Sequence, residues 1–554
     1  MAGAGQLKSR RRYFVVLLCI FYVSGFRLIR GIQAMAQKSS ALKFVSAIDQ
    51  LEWTTPIENV SRSTDELVIG LVGAVGAGVS KTAAELKLTL EREYGYVVDI
   101  VKASDIIREN AGKTATTSPA TEGSERIKQL QAIGTELREK YGEAYIAAKA
   151  IEKIAIQRKT SDGYDESTQV PQPKRLRQAT IIDSLKHPKE TTLLRDVYGG
   201  IYWQFTVFAP EAIREARLSN IGIAKDELPG IFTRDENDKE GDHGQKVSKT
   251  AYLSDFFVRN DGENDVRLIS VLQRYLEVVF NISVHTPNTD EAGMYAAVSA
   301  ASKSACLSRQ VGAAIYSAGG ELISVGWNDV PKALGGLYSA DDGDDDHRCY
   351  LWGGKLCHND RKKEELYDKI FKKLAAEGLL ASGVDKIKLR SALVATPVKD
   401  LIEYSRSIHA EMEAIVSAGR TGKTGMVGGT LYTTTFPCHN CARHIVAAGI
   451  SKVFYVEPYA KSLALELHSD AISMVEGDTK KVAFLQYEGV GPDSVLKLFH
   501  HGVERKIDGR ARVQDKKTAI PVLPPPMDGF TTHEKRVIER LENVESQSVG
   551  GGAG

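Results

Sequence analysis

Two short clusters place chemically active residue types at a fixed spacing: His409-Ala410-Glu411 and, further along, Pro437-Cys438-His439-Asn440-Cys441. Two cysteines three apart at the start of a helix, with a histidine from another helix, make a three-ligand zinc site of His409, Cys438 and Cys441 whose fourth position is left for water. Zinc acidifies such a water, and Glu411, a carboxylate that is not a ligand, is placed to carry protons. The combination suits hydrolytic replacement of an amine on an amidine-like carbon, such as C4 of cytosine or C6 of adenine, with ammonia leaving. A C-x-x-C alone would fit a closed zinc knot with His439 or His444 as fourth ligand, or cysteines that only pack. The H-x-E among apolar Ile408, Met412, Ala414 and Ile415, then a strand at 429–434, then P-C-x-x-C, argues against both.

Positioning these residues takes a layered α/β scaffold, and the chain around them has its pattern. A helix at 290–304 precedes two strand-like runs, Gly312-Ala313-Ala314-Ile315-Tyr316 and Leu322-Ile323-Ser324-Val325-Gly326, parted by the turn Ala318-Gly319-Gly320. A polar insertion at about 333–400, acidic at its start (341–346), follows before the chain returns at Ser407. The front half alternates strands and helices in the manner of a parallel doubly wound sheet: 66–72, 96–101, 179–183 and 202–208 read as strands. The expected division is an N-terminal extension (1–64), a parallel-sheet domain (65–285), a second α/β domain (286–515) and a tail (516–554) that packs little.

The zinc motif resembles the zinc cytidine deaminase superfamily, and more narrowly the deoxycytidylate deaminases. Ser304-Ala305-Cys306-Leu307-Ser308-Arg309-Gln310-Val311-Gly312-Ala313 and Ser324-Val325-Gly326-Trp327-Asn328 are similar to that family's strand pair before the active site. The resemblance implies a three-layer α/β/α domain, Zn2+ as cofactor, Asn328 on the substrate's sugar and Arg309 on a phosphate. An amide and a forked guanidinium suit those partners, although Asn328 equally suits a turn cap and Arg309 a carboxylate. The same resemblance raises a second, structural zinc held by Cys306, Cys349, Cys357 and His358; free buried thiols and a surface histidine are the other reading.

In the front half, Gly73-Ala74-Val75-Gly76-Ala77-Gly78-Val79-Ser80 follows a strand and opens a helix. Gly73, Gly76, Gly78 and Ser80 match part of a phosphate loop, whose backbone N–H groups cradle phosphates. Val79 stands where that motif requires lysine, and Lys81, two residues on, is turned about 200° around the helix. Phosphoryl transfer is therefore not expected, and a glycine turn that packs strand against helix is the simpler alternative. The runs 183–188, 194–199 and 214–217 resemble the core and lid of P-loop nucleotide kinases.

A degenerate P-loop NTPase-like parallel sheet domain followed by a cytidine deaminase-like domain resembles the bacterial anti-phage dCTP deaminases. That resemblance implies deamination of free deoxycytidine nucleotides to deplete dCTP, a homo-oligomer, and restraint by a regulatory nucleotide or an inhibitory RNA acting through the front domain. Rival readings are a housekeeping dCMP deaminase for thymidylate supply, a polynucleotide-editing deaminase and a non-enzymatic nucleotide or RNA sensor.

Composition narrows these. The 554 residues are 42% hydrophobic and 26% charged, ordinary for folded domains. Lysine plus arginine (72) balances aspartate plus glutamate (71), so no global basic field draws the chain to a nucleic-acid backbone. Six cysteines are too few for a secreted disulfide scaffold, which favours a reducing, cytoplasmic setting. Lys8-Ser9-Arg10-Arg11-Arg12 precedes an apolar run at 13–26 that is shorter than the roughly 20 residues a membrane span needs, so no stable membrane partner is expected. Met35 opens a more ordinary sequence and is read as the translation start, with Lys174, Arg175 and Arg177 as a solvated loop.

Overall fold

The computed structural model describes residues 64–522, except 115–119, 121, 162, 166–171, 175, 238–242, 263–264, 460–461 and 501–504, together with four positions between 534 and 542. The run at 13–26, Met35 and Arg175 lie outside the described residues.

Two six-stranded sheets organise the chain. The first contains β1 (Leu67–Gly73), β2 (Val97–Lys102), β3 (Gln178–Leu185), β4 (Tyr202–Phe208) and β5 (Phe256–Arg259), mutually parallel in the order β5-β4-β1-β3-β2. β1 and β4 are buried at every position, as uninterrupted apolar runs in a sheet covered on both faces must be. The second sheet contains β6 (Gly312–Tyr316), β7 (Leu322–Trp327), β8 (Thr430–Thr435), β9 (Lys452–Glu457), β10 (Ile472–Ser473) and β11 (Val482–Gln486), in the order β10-β11-β9-β8-β6-β7. Its β8 to β11 strands run parallel, and β6 and β7 form the antiparallel hairpin expected around Gly319-Gly320.

The expected boundary at 285 does not separate two independent halves. Gly489–Val490 forms β12, which leaves the second sheet and pairs antiparallel with Phe256 and Phe257 at the edge of the first. Glu291, fully buried on the helix Thr289–Ala301, binds both sides of this seam. Its carboxylate accepts from the Val490 N–H at 2.9 Å and pairs with Arg274 at 2.7 Å. The tail also packs, contrary to expectation: Ala519 joins one core of the first sheet and Leu541 the other. Arg158, 2% exposed, lies between Glu66 at 2.8 Å and Glu534 at 2.5 Å, so a tail carboxylate closes a buried cluster. Lone polar residues in a 34-residue stretch rich in proline and glycine give no periodic sign of such docking.

Close backbone approach positions the helix that follows His409. A Cβ on Gly326 in β7 would lie 2.2 Å from the Ala410 carbonyl oxygen and 2.4 Å from the Ala414 nitrogen. The helix Ala410–Arg420 can therefore rest on β7 only because residue 326 has no side chain. Gly326→Ala should destabilise the fold by about 1–3 kcal/mol, the range for overpacking; an unchanged urea midpoint would contradict this contact.

Candidate active site

His409 and Cys438 are the residues that cap two helices, Ala410–Arg420 and His439–Ala447. Each helix follows an extended segment pinned elsewhere. Before His409, the Ile408 N–H donates to the Asp329 carbonyl at 3.0 Å. Before Cys438, β8 delivers the chain at Thr435. Ala410, Ala414, Ala418, Ala442 and Ile445 pack the two helices into one core against the second sheet. Small residues on the facing sides let the two N-termini converge, and both helix ends present positive partial charge to whatever lies there.

The convergence brings ligand atoms of His409, Cys438 and Cys441 all within 4.8 Å of one another. Both thiol sulfurs lie 3.3 Å from His409 Nδ1. Among the described residues no fourth protein ligand joins them, and His444 instead places Nδ1 2.6 Å from the Asn440 carbonyl. Two thiolates and an imidazole with an open position form the donor set of a catalytic zinc site, so the residues fit that ion. A hydrogen bond from Cys441 lowers the Cys438 pKa to about 4, with His409 adding to it against burial. The site is thus built to hold a thiolate.

Glu411 is 4% exposed, and its Oε2 lies 3.4 Å from Cys441 Sγ, where it accepts from the thiol. Burial pushes its carboxyl pKa above the ordinary range, partly opposed by His409. His409, Glu411 and Cys438 line one cavity, whose wall also includes Arg309, Asn328 and Asn359.

The expected substrate residues have protein partners. Asn328 reaches the wall, but its Oδ1 accepts from the Val311 N–H at 2.7 Å and its Nδ2 donates to the Arg309 carbonyl at 2.8 Å. It shapes the 309–311 loop. Arg309 sits at 42% side-chain exposure and pairs with Glu457 at 2.6 Å. Asn359, Tyr459 and Glu457 were not marked by spacing. They reach the site from the insertion and from the region around the end of β9, which no local pattern ties to the zinc motif.

No three of Cys306, Cys349, Cys357 and His358 bring ligand atoms together among the described residues. Cys306 lines the same cavity as Glu411, while Cys357 caps the helix His358–Ala376 and lies 3.8 Å from Ser308 Oγ. His358 turns to a buried position beside Gly353, with Trp352 edge-on at 5.5 Å between ring centroids. Adjacent Cys and His in sequence diverge here at the helix start.

In the front sheet, Gly73 ends β1, while Gly76 and Gly78 take positive φ of 84° and 85° before the helix Val79–Tyr94. Several of the loop's polar groups have partners within the chain. The Val75 N–H donates to Asp235 at 2.7 Å, and Lys186 Nζ bridges the Gly73 carbonyl at 2.8 Å and Asp235 at 2.9 Å. Ser80 donates to Asp183 at 2.6 Å, and Lys81 pairs with Asp265. A carboxylate thus occupies an N–H that a phosphate loop would offer to its ligand.

Comparison with known proteins agrees with the site. Residues 287–457 match the family described as cytidine and deoxycytidylate deaminase zinc-binding region. The deoxycytidylate deaminase of Enterobacteria phage T4 is 46% identical over 55 residues, 10% of this chain and 28% of that protein. ComE operon protein 2 of Bacillus subtilis (strain 168) is 41% identical over 64 residues, 11% of this chain and 33% of that protein. The chain thus spans about a third or less of the length of these curated relatives. A dCMP deaminase from the cyanophage S-TIM5, solved with dCMP and dUMP, is 18% identical over 37% of this chain and 99% of that one, with a TM-score of 0.22. A shikimate kinase from Acinetobacter baumannii is 12% identical over 39% of this chain and 93% of that one, with a TM-score of 0.21. Residues 287–457 are thus similar to the zinc-binding region of cytidine and deoxycytidylate deaminases. Among the described residues no helix is long and apolar enough to cross a membrane.

Proposed function

We propose that this protein hydrolytically deaminates free deoxycytidine nucleotides, dCTP or dCMP, to the deoxyuridine nucleotides. The observation that carries the reading is the convergence of His409, Cys438 and Cys441 beside a buried Glu411, at a cavity lined by His409, Glu411 and Cys438. Zinc held by those three residues supplies Lewis-acid activation of water at neutral pH. Glu411 takes a proton from the attacking water and delivers it to N3 of the ring. It then passes the second proton to the 4-amino group, so that C4–N breaks, ammonia leaves and C4 keeps the oxygen. The apolar wall, with Phe436 and Tyr459, holds the base ring and excludes bulk water from that exchange.

Arg309 stands at the exposed side of the cavity, where a phosphate can replace Glu457 as its partner. Arg309→Ala should therefore raise KM about tenfold or more for nucleotides, in line with a lost charge-assisted bond, and leave deoxycytidine nearly unaffected. Equal effects on nucleotide and nucleoside would remove Arg309 from phosphate recognition.

The same reading assigns the activity to depletion of dCTP during phage infection, with the glycine-loop sheet as the regulatory half. Its support is the fusion itself and a loop whose Val75 N–H is already satisfied by Asp235, an arrangement better suited to sensing than to phosphoryl transfer. Homo-oligomerisation and restraint by a nucleotide or an RNA belong to this reading. The deciding assay incubates zinc-loaded protein with dCMP, dCTP, CTP, deoxycytidine and a cytosine-containing single strand, and follows uracil products by chromatography. Turnover of dCTP or dCMP supports the reading; turnover of the strand alone replaces it with polynucleotide editing.

A further inference from the structure

We infer that Asn359, contributed by the insertion, contacts the substrate, and that its side-chain oxygen accepts a hydrogen bond from the 3′-hydroxyl of the sugar. This rests on the deaminase reading above and adds what makes the substrate a free nucleotide.

Asn359 lies in the first turn of the helix His358–Ala376 and lines the cavity with Glu411, His409 and Cys438. Its Nδ2 donates to the Leu401 carbonyl at 3.1 Å. That contact sets the amide's orientation, because the other orientation would put two acceptors face to face. Oδ1 is then left buried and without a hydrogen-bond partner. Of the buried side-chain nitrogen and oxygen atoms on the described residues that line this cavity, it is the only one so left. The neighbouring amide, Asn328, has both of its groups on backbone partners, and Arg309 has a carboxylate. A buried acceptor without a partner is destabilising until a donor reaches it.

A deoxycytidine nucleotide carries two neutral donors, the 4-amino group and the 3′-hydroxyl. The amino group is the one replaced and must face Glu411 and the zinc ligands, which leaves the hydroxyl for Asn359. Inside a polynucleotide the 3′ oxygen is esterified and has no proton to donate. The same acceptor therefore distinguishes a free nucleotide from an internal position in a strand, a discrimination of the kind a site gains from an acceptor left unsatisfied by the wrong ligand.

The test measures equilibrium binding, so that it does not depend on turnover. Zinc-loaded full-length protein carrying Glu411→Gln is titrated calorimetrically with dCMP and with 2′,3′-dideoxycytidine monophosphate, with Asn359 intact and with Asn359→Ala. With Asn359 intact, dCMP should bind about tenfold tighter than the dideoxy analogue, as one buried hydrogen bond allows. Asn359→Ala should weaken dCMP about tenfold and the analogue less than twofold. Equal weakening of both ligands would assign Asn359 to holding Leu401 and overturn the inference, as would no weakening of either. Turnover of dCMP by the protein with Glu411 intact separates the two claims. If dCMP turns over while Asn359→Ala is indifferent to the hydroxyl, the deaminase reading stands and this inference falls; if neither nucleotide binds or reacts, both fall.

Discussion

Glu411→Gln should lower turnover of a deoxycytidine nucleotide by roughly 10²–10⁴-fold, the range contributed by a positioned general acid–base group, while the protein still carries one zinc. Glutamine keeps the size of the side chain in a site that is 4% exposed, so packing between the two helices is preserved. It has no proton to exchange at the pH of the assay, and both halves of the reaction need one moved: from water to N3, then to the departing amine. The metal content makes the result specific. Cys441→Ala should lose zinc and activity together, whereas Glu411→Gln should lose activity alone, because Glu411 lies beside the ligand set without belonging to it. A glutamine variant that retained turnover within tenfold would return the site to a structural zinc and the protein to the class of non-enzymatic sensors.

The second large effect is on stability. Arg158→Met should destabilise the protein by about 3–5 kcal/mol, because it leaves two carboxylates buried without their cation. Burial works against the guanidinium charge, but Glu66 and Glu534 outweigh it and hold the Arg158 pKa above its ordinary value. Glu534 is itself pushed up by burial, with Arg158 opposing. The triple change Arg158→Met, Glu66→Gln, Glu534→Gln should recover much of the loss, since an uncharged cluster has no buried charge to strand. Urea denaturation measures both variants, and limited proteolysis of the single variant should cut the segment that holds Glu534 and Leu541. An Arg158→Met protein with an unchanged midpoint and an uncut tail would show that the cluster contributes nothing.

Legibility in the sequence followed the range of the interactions involved. Strands β1, β4, β6 and β8 announce themselves because each is a short continuous run of apolar and β-branched residues, a local pattern whatever strands it later pairs with. The zinc triad is legible for the same reason, since H-x-E and P-C-x-x-C each encode one helix start. Strand β12 is two residues long and depends wholly on a partner edge more than two hundred residues earlier, so no periodicity marks it. The carboxylate of Asp235 beside Val75 and the tail carboxylate beside Arg158 are likewise long-range, with sequence separations of 160 and 376. Cys357-His358 looked like a ligand pair because spacing ignores direction; at a helix start, successive side chains point apart.

The short strand β12 also sets a timetable for synthesis. Until Gly489 and Val490 leave the ribosome, the Phe256–Arg259 edge of the first sheet has no partner on that side. At about 5–20 residues per second, the interval between the two segments is on the order of 10–50 s. During that time the nascent front half presents an open strand edge bearing Phe256 and Phe257, a template for unwanted pairing with other chains. The front half thus depends on prompt completion of the back half, and a ribosome that stalls within the insertion would release a polypeptide whose first sheet is unfinished.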